Sequence, residues 1–280
     1  MQMDRVQHNT GFMYIKPTKA SINFFKELWS NFKLSKRMSH DQGYFNELLE
    51  IRKLRNQSHL IKINKLPVKY FTCGTYYFNE DNRQFGVPGS KDTVVVHNNY
   101  IGSIAAKIYR FKENFLWSLD TSGYYSSRVT KYISYGNSID FQENNYLKEI
   151  QALKNAMKIG QLSKRVVILP KFTCCACKKQ RKSCSNFSTK CSLLSVLNID
   201  AFDKKFANLY RESTFIHNPL TRKFDKSDII NLSHDQMFEI SKYYNYSIVH
   251  FDHLYGKFDN YNYTDNHFKC DNYEQWNQNL

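Results

Sequence analysis

Apolar and aromatic side chains in KPTKASINFFKELWSNFK, residues 16–33, return at helical spacing as Ile22, Phe25, Trp29 and Phe32. That period predicts an amphipathic helix with those four on its inner face and Thr18, after Pro17, as its cap. SHDQGYFNELLEIRKL, residues 39–54, predicts a second helix with Phe45, Leu48 and Leu49 turned inward. Ser39 with Gln42 has the spacing of a capping box. HLIKINKL (59–66) and TVVVHN (93–98) read as strands, and the Gly- and Pro-containing loop TCGTYYFNEDNRQFGVPGS (72–90) lies between them. SIAAKIYRFKENFLW (103–117) predicts a third helix with Ile104, Ile108, Phe111 and Phe115 on one side.

The pattern weakens around WSLDTSGYYSSR, and a boundary is expected near residue 126. Beyond it VTKYISYGN reads as a strand, ENNYLKEIQALKNAMKIGQL as a helix and KRVVILPKF as a buried strand ending at Pro170. This is the signature of a β-α-β unit, so the fold class is α/β. NIDAFDKKFANLYRE and SHDQMFEISKYYN predict two further helices, and the tail from Tyr255 has no clear period. The tripeptide HDQ occurs at 40–42 and again at 234–236, a coincidence rather than a repeat.

Composition narrows the partners. The 280 residues are 41% hydrophobic and 16% aromatic, which fits globular structure. The formal charge of +15 favours anionic partners, yet the lysines are scattered, as on a solvated surface. No stretch has the apolar length of a membrane span, and MQMDRVQHNTGF lacks the apolar core of a signal peptide. Taken alone, that would mean a cytosolic chain.

The cysteines argue otherwise. Of seven, five crowd into one segment: Cys174, Cys175, Cys177, Cys184 and Cys191. Their spacing matches none of the common zinc knuckles, so disulfides in an oxidising lumen are the favoured reading over a zinc cage. Sequons at Asn56, Asn186, Asn231, Asn245 and Asn262 agree only mildly, because a chain this rich in asparagine and serine produces several by chance.

Three pieces carry candidate chemistry. His97 stands where a strand ends, the edge at which α/β sheets collect ligands, and a neutral imidazole there is a metal donor. A helix starting after Gly102 offers free amides to phosphate oxygens, with Lys107 and Arg110 a turn or more behind. Asp41 and Gln42 open the second helix, where they serve either as cap and dipole partners or as polar groups facing a cleft. Asn9, Thr10 and Gly11 read as a turn whose glycine lets backbone approach a ligand. Each piece alone has an ordinary structural explanation.

Their order is more telling. NTGFMYIKP, then HDQGYFN, then a Gly-Tyr-Tyr-Phe loop, then VVHNNYIG with Lys107 and Arg110 behind, resembles the nucleotide-diphospho-sugar transferase family of plant rhamnogalacturonan xylosyltransferases and extensin arabinosyltransferases. The likeness spans about residues 8–120, and IQALKNAMKIGQLSKRVVILP with YRESTFIHNP looks like the C-terminal region of the arabinosyltransferase-like branch. The resemblance implies residues 1–125 as the C-terminal part of a GT-A, Rossmann-like domain, and 126–280 as a smaller, cysteine-containing accessory α/β region. It implies α-retaining transfer from a nucleotide sugar to a glycan or glycoprotein acceptor, with manganese or another divalent cation. His97 then corresponds to a metal ligand, and Asn98, Gly102, Lys107 and Arg110 to the diphosphate segment. Asp41 and Gln42 fall beside the transferred sugar, with Asn9 and Gly11 lining the sugar or acceptor side.

One feature departs from the family: no Asp-x-Asp occurs in the sequence. The expectation is therefore a fragment, inactive alone, of a Golgi-lumenal type II membrane protein whose anchor lies outside this chain. Two alternatives remain: a non-catalytic carbohydrate- or partner-binding protein on the same scaffold, and a basic zinc-containing nucleic-acid binder. The transferase reading involves no nucleic acid.

Overall fold

The computed structural model describes residues 2–3, 8–34, 40–57, 61–78, 92–99, 101–136, 145–173, 190–195 and 197–255. They belong to two compact units, Met1–Ile101 and Gly102–Leu280. The division expected near residue 126, drawn where the sequence pattern weakens, stays a proposal.

In the first unit, β1 (Gln2–Met3) pairs antiparallel with β2 (His8–Asn9). Helix α1 (Lys19–Leu34) starts as its sequence predicts. Ser21 N donates to Thr18 Oγ1 at 3.2 Å and Thr18 N to Ser21 Oγ at 2.9 Å, a reciprocal cap. Its inner face differs from the expectation. Phe24 is fully buried, whereas Ile22 and Trp29 are 47% and 59% exposed. Phe24 and Phe25 are adjacent, so a period phased on Phe25 misses the residue that meets Phe45 edge-on, 5.4 Å away.

Helix α2 (Asp41–Leu54) buries Phe45 and Leu48 as predicted, with Leu49 packed against them. Its cap is not the expected one. His40 holds the N-cap position, and its Nδ1 accepts from Gly43 N at 3.0 Å. Ser39 lies outside the described residues. The strand expected at 59–66 is also revised: residues 61–66 form no ladder, and 59–60 lie outside the description. The alternation there is genuine, since Ile61 and Ile63 cover the Phe24–Phe45–Leu48 cluster. The strand comes later, as β3 (Phe71–Cys73), which leads into the short helix α3 (Gly74–Phe78). It runs parallel to β4 (Val95–His97), Cys73 opposite His97.

The second unit begins with helix α4 (Ile104–Glu113), whose N-cap Ser103 accepts from Ala106 N at 3.1 Å. Its buried stripe is Ala106, Tyr109 and Glu113, and Ile104 is 78% exposed, contrary to the predicted face. Tyr109 turns inward to pack on Tyr210, ring centroids 6.2 Å apart. The β-α-β reading holds: β5 (Tyr132–Tyr135), α5 (Asn145–Ser163) and β6 (Val166–Ile168), with β5 and β6 parallel. A short antiparallel pair follows, β7 (Phe172–Thr173) with β8 (Lys190–Cys191), then α6 (Ile199–Phe206) and β9 (Tyr210–Arg211). After β10 (Ile229–Leu232), a 3-10 helix (His234–Tyr243) stands where an α-helix was predicted, and β11 (Ile248–Phe251) ends the sheet. The five strands are all parallel, in the order β10-β11-β5-β6-β9.

Gly160 of α5 approaches Val167 on one face of this sheet, while Tyr125 and Phe215 pack on Tyr132, Ile168 and Ile248 on the other. Cys174, Cys175, Cys177 and Cys184 lie outside the described residues, as does the tail from Gly256. The backbone of Cys191 lies in β8. No described helix is long and apolar enough to cross a membrane.

Candidate functional site

The turn at residues 9–11 is built by its own first residue. Asn9 is 2% exposed, and its Oδ1 accepts from Gly11 N at 2.7 Å, which closes the turn. Helix α2 then grips the turn from its first two turns. Thr10 N donates to Gln42 Oε1 at 3.3 Å, and Thr10 Oγ1 donates to Asp41 Oδ2 at the same distance. One helical turn on, Asn46 clamps β2 both ways: His8 N donates to its Oδ1 at 3.0 Å, and its Nδ2 donates to His8 O at 2.8 Å. Gln42 thus reaches across to another segment, and Ser39, its expected capping-box partner, lies outside the described residues.

His97 arrives on the same turn from β4. A β-carbon built on Gly11 would lie 2.2 Å from Cε1, 2.6 Å from Nε2 and 2.8 Å from Nδ1 of its ring. Only a residue without a side chain leaves room for the imidazole there. Phe12, next along, stacks on Phe71 at 5.5 Å and fixes the turn to the strand beside β4. Asn98 follows His97 and is 8% exposed, and Asn99 Oδ1 accepts from Gly74 N at 2.7 Å, holding the end of β4 on α3.

Asn9, Gly11, Asp41, Gln42 and His97 thus meet within the first unit. Gly102, Lys107 and Arg110 belong to the second. There Gly102 is exposed ahead of the Ser103 cap, Lys107 is exposed with its amide bonded to Ser103 O at 3.0 Å, and Arg110 is half-buried.

The region holding this constellation has known relatives. Residues 1–111 match the family model described as nucleotide-diphospho-sugar transferase. Over 92 residues the chain is 34% identical to UDP-D-xylose:L-fucose alpha-1,3-D-xylosyltransferase 3 of Arabidopsis thaliana. Residues 1–111 are in this sense the transferase-like segment of the chain. The alignment with the Arabidopsis protein takes in 33% of this chain and 22% of that relative's length. No solved structure matches the chain.

Within the transferase segment, Thr10, His40 and Asn46 do structural work that the sequence reading missed. Asn46 carried a signal: it lies four residues after Gln42, hence on the same helix face, as a polar position beside Phe45. Thr10 carried none, because its partners are more than 30 residues away. The segment was also weighed as a metal site. Among the described residues no group of three or more His, Cys, Asp or Glu side chains comes together. His97 is a single imidazole donor, and the described residues do not by themselves form a divalent-metal centre.

Proposed function

We propose that the transferase segment contributes to a glycosyltransferase that moves a sugar from a nucleotide-diphospho-sugar to a glycan or glycoprotein acceptor with retention, in the Golgi lumen. The observation that supports this reading best is the seating of His97 on Gly11, in a turn that Asp41 and Gln42 hold from α2. It gathers three chain segments that the family resemblance assigns to one pocket.

In this reading Asp41 and Gln42 lie beside the transferred sugar, with Asn9 and Gly11 on the sugar or acceptor side. Asn98, Gly102, Lys107 and Arg110 serve the diphosphate. The C1–O bond to the diphosphate breaks with its electron pair leaving on the phosphate oxygen. The acceptor hydroxyl bonds to C1 on the same face, and its proton passes to that departing oxygen. A cation at the diphosphate favours the transition state over the ground state, because charge grows there as the bond breaks. The resemblance gives that role to Lys107 and Arg110. A polar oxygen of Asp41 or Gln42 favours positive charge developing on the sugar ring.

Manganese, which the resemblance implies, would find the His97 imidazole without a carboxylate set among the described residues, and the roles above do not depend on it. The absence of Asp-x-Asp favours a second reading, a scaffold that binds nucleotide sugar without turnover.

Isothermal titration of the 280-residue chain with a panel of nucleotide sugars, with and without manganese, tests the proposal. Donor binding that His97→Ala abolishes, followed by sugar transfer on adding acceptor, supports catalysis. Binding without transfer supports the second reading. Binding indifferent to substitution of His97, Asp41 and Gln42 overturns both, whereas a chain that binds no nucleotide sugar behaves as the expected fragment, inactive alone.

A further inference from the structure

At the amino-terminal edge of the parallel sheet, the second unit holds a groove of about 490 Å³ between the end of α5 and the 3-10 helix. Ile159 and Leu162 form one wall, and Met237, Phe238 and Ile240 the other. Leu162 and Phe238 are 68% and 70% exposed, so the groove opens to solvent along an apolar lip. The volume is that of a small-molecule site.

Its polar lining has one sign. Lys131, Lys164 and Arg165 contribute three formal positive charges, and among the described residues no Asp or Glu lines the groove. Part of that charge answers backbone carbonyls, those of Tyr243 and Tyr244 at the end of the 3-10 helix among them. Arg165, 3% exposed, donates to the carbonyls of Tyr243 at 2.8 Å, Tyr246 at 2.9 Å and Tyr132 at 3.3 Å, and Lys131 donates to the carbonyl of Tyr244. Two helix C-termini supply at most about half a negative charge each. They offset about one of the three cations and leave the groove positive. Lys164, left-handed at φ 55° just past the end of α5, is exposed at the rim. A cationic rim over an apolar floor complements one kind of molecule.

We propose that this groove binds an amphiphilic anion: a single small molecule with a negatively charged head at Lys131 and Lys164 and an apolar body against Leu162, Met237 and Phe238. The site lies in the second unit and is independent of the sugar-transfer reading.

Titration calorimetry of the full chain with decanoate below its micellar concentration tests it. Decanoate binds one per chain, and decyltrimethylammonium, with the same tail and opposite charge, binds at least about tenfold more weakly. Lys164→Glu and Phe238→Ala, both at exposed positions, each weaken decanoate several-fold while the far-UV circular dichroism is unchanged. Equal binding of the two probes overturns the proposal, because the groove is then merely apolar. So does the absence of saturation, binding to anionic vesicles alone, or decanoate affinity unaltered by Lys164→Glu.

Discussion

The α-carbon of Gly11 faces the His97 imidazole so closely that a methyl group there would come within 2.2 Å of Cε1. A histidine ring can swing away about its side-chain torsions more easily than backbone can shift. Gly11→Ala is therefore expected to displace the ring at an overpacking cost of about 1–3 kcal/mol. Nucleotide-sugar affinity should fall more than that stability loss alone explains. Thermal melts beside donor titrations check it, and unchanged donor affinity would show that the ring's seat has no bearing on binding.

The two HDQ tripeptides make a natural control pair. Gln42 Oε1 accepts from Thr10 N, on another segment. Gln236 Oε1 accepts from Ser233 N at 3.0 Å, inside its own capping box. Gln236→Ala should lower stability by about 0.5–1 kcal/mol and do nothing else. Gln42→Ala should lower stability by about 0.5–1.5 kcal/mol and also weaken donor binding. Chemical denaturation and donor titration of both variants separate the two roles.

This pair also shows where the sequence was readable. The spacing Ser-x-x-Gln is the same at 39–42 and 233–236; the second forms the box, while at the first His40 is the N-cap and Ser39 lies outside the described residues. A local rule names the helix start but not what a side chain meets across space, and at residue 42 a tertiary partner prevailed. The same limit explains α1 and α4. Their existence followed from the apolar period, but their inner faces were set by Phe45 meeting Phe24 and by Tyr210 meeting Tyr109. The β-α-β unit read correctly because a long helix between two apolar runs leaves few alternatives. Thr10, whose partners in α2 lie more than 30 residues away, was illegible for want of any local signal, whereas Asn46 had one in its place a helical turn after Gln42.

A cationic pair against one aromatic ring gives a pH prediction. Lys112 Nζ lies 3.4 Å from the Tyr124 ring centroid and the Arg211 guanidinium 3.9 Å, while the Tyr124 hydroxyl donates to Glu212 Oε2 at 2.6 Å. Burial, above all, pushes the Lys112 ammonium down to about 8, with Arg211 adding to the effect and Glu212 and Asp203 opposing it. Because an unfolded lysine titrates near 10.4, the unfolded chain binds more protons between the two values. This group's contribution to stability therefore rises with pH across about 8 to 10, and its penalty is present in full below 8. Burial holds the Tyr109, Tyr124 and Tyr210 hydroxyls above their ordinary range, so above about pH 10 their contribution falls. Denaturation midpoints across this range should rise and then drop, and Lys112→Met should flatten the rise and leave the drop.

Gly160, inside α5, looks like an obvious site for a stabilising alanine, by about 1 kcal/mol of helix propensity. A β-carbon there would lie 2.8 Å from Arg165 O and 2.8 Å from Val167 Cγ2. Overpacking of about 1–3 kcal/mol should win, because a backbone carbonyl is one of the obstacles. Gly160→Ala is expected to lower the melting temperature, and a rise would show that α5 can lift from the sheet at little cost.

The strand order β10-β11-β5-β6-β9 puts the last-made strand near the middle. Ile248 must find Tyr132 across more than a hundred residues of intervening chain before β10 has any neighbour at all. On the ribosome, then, β5, β6 and β9 wait with one flank bare until Phe251 has emerged, and this sheet acquires its architecture only once β11 has been made.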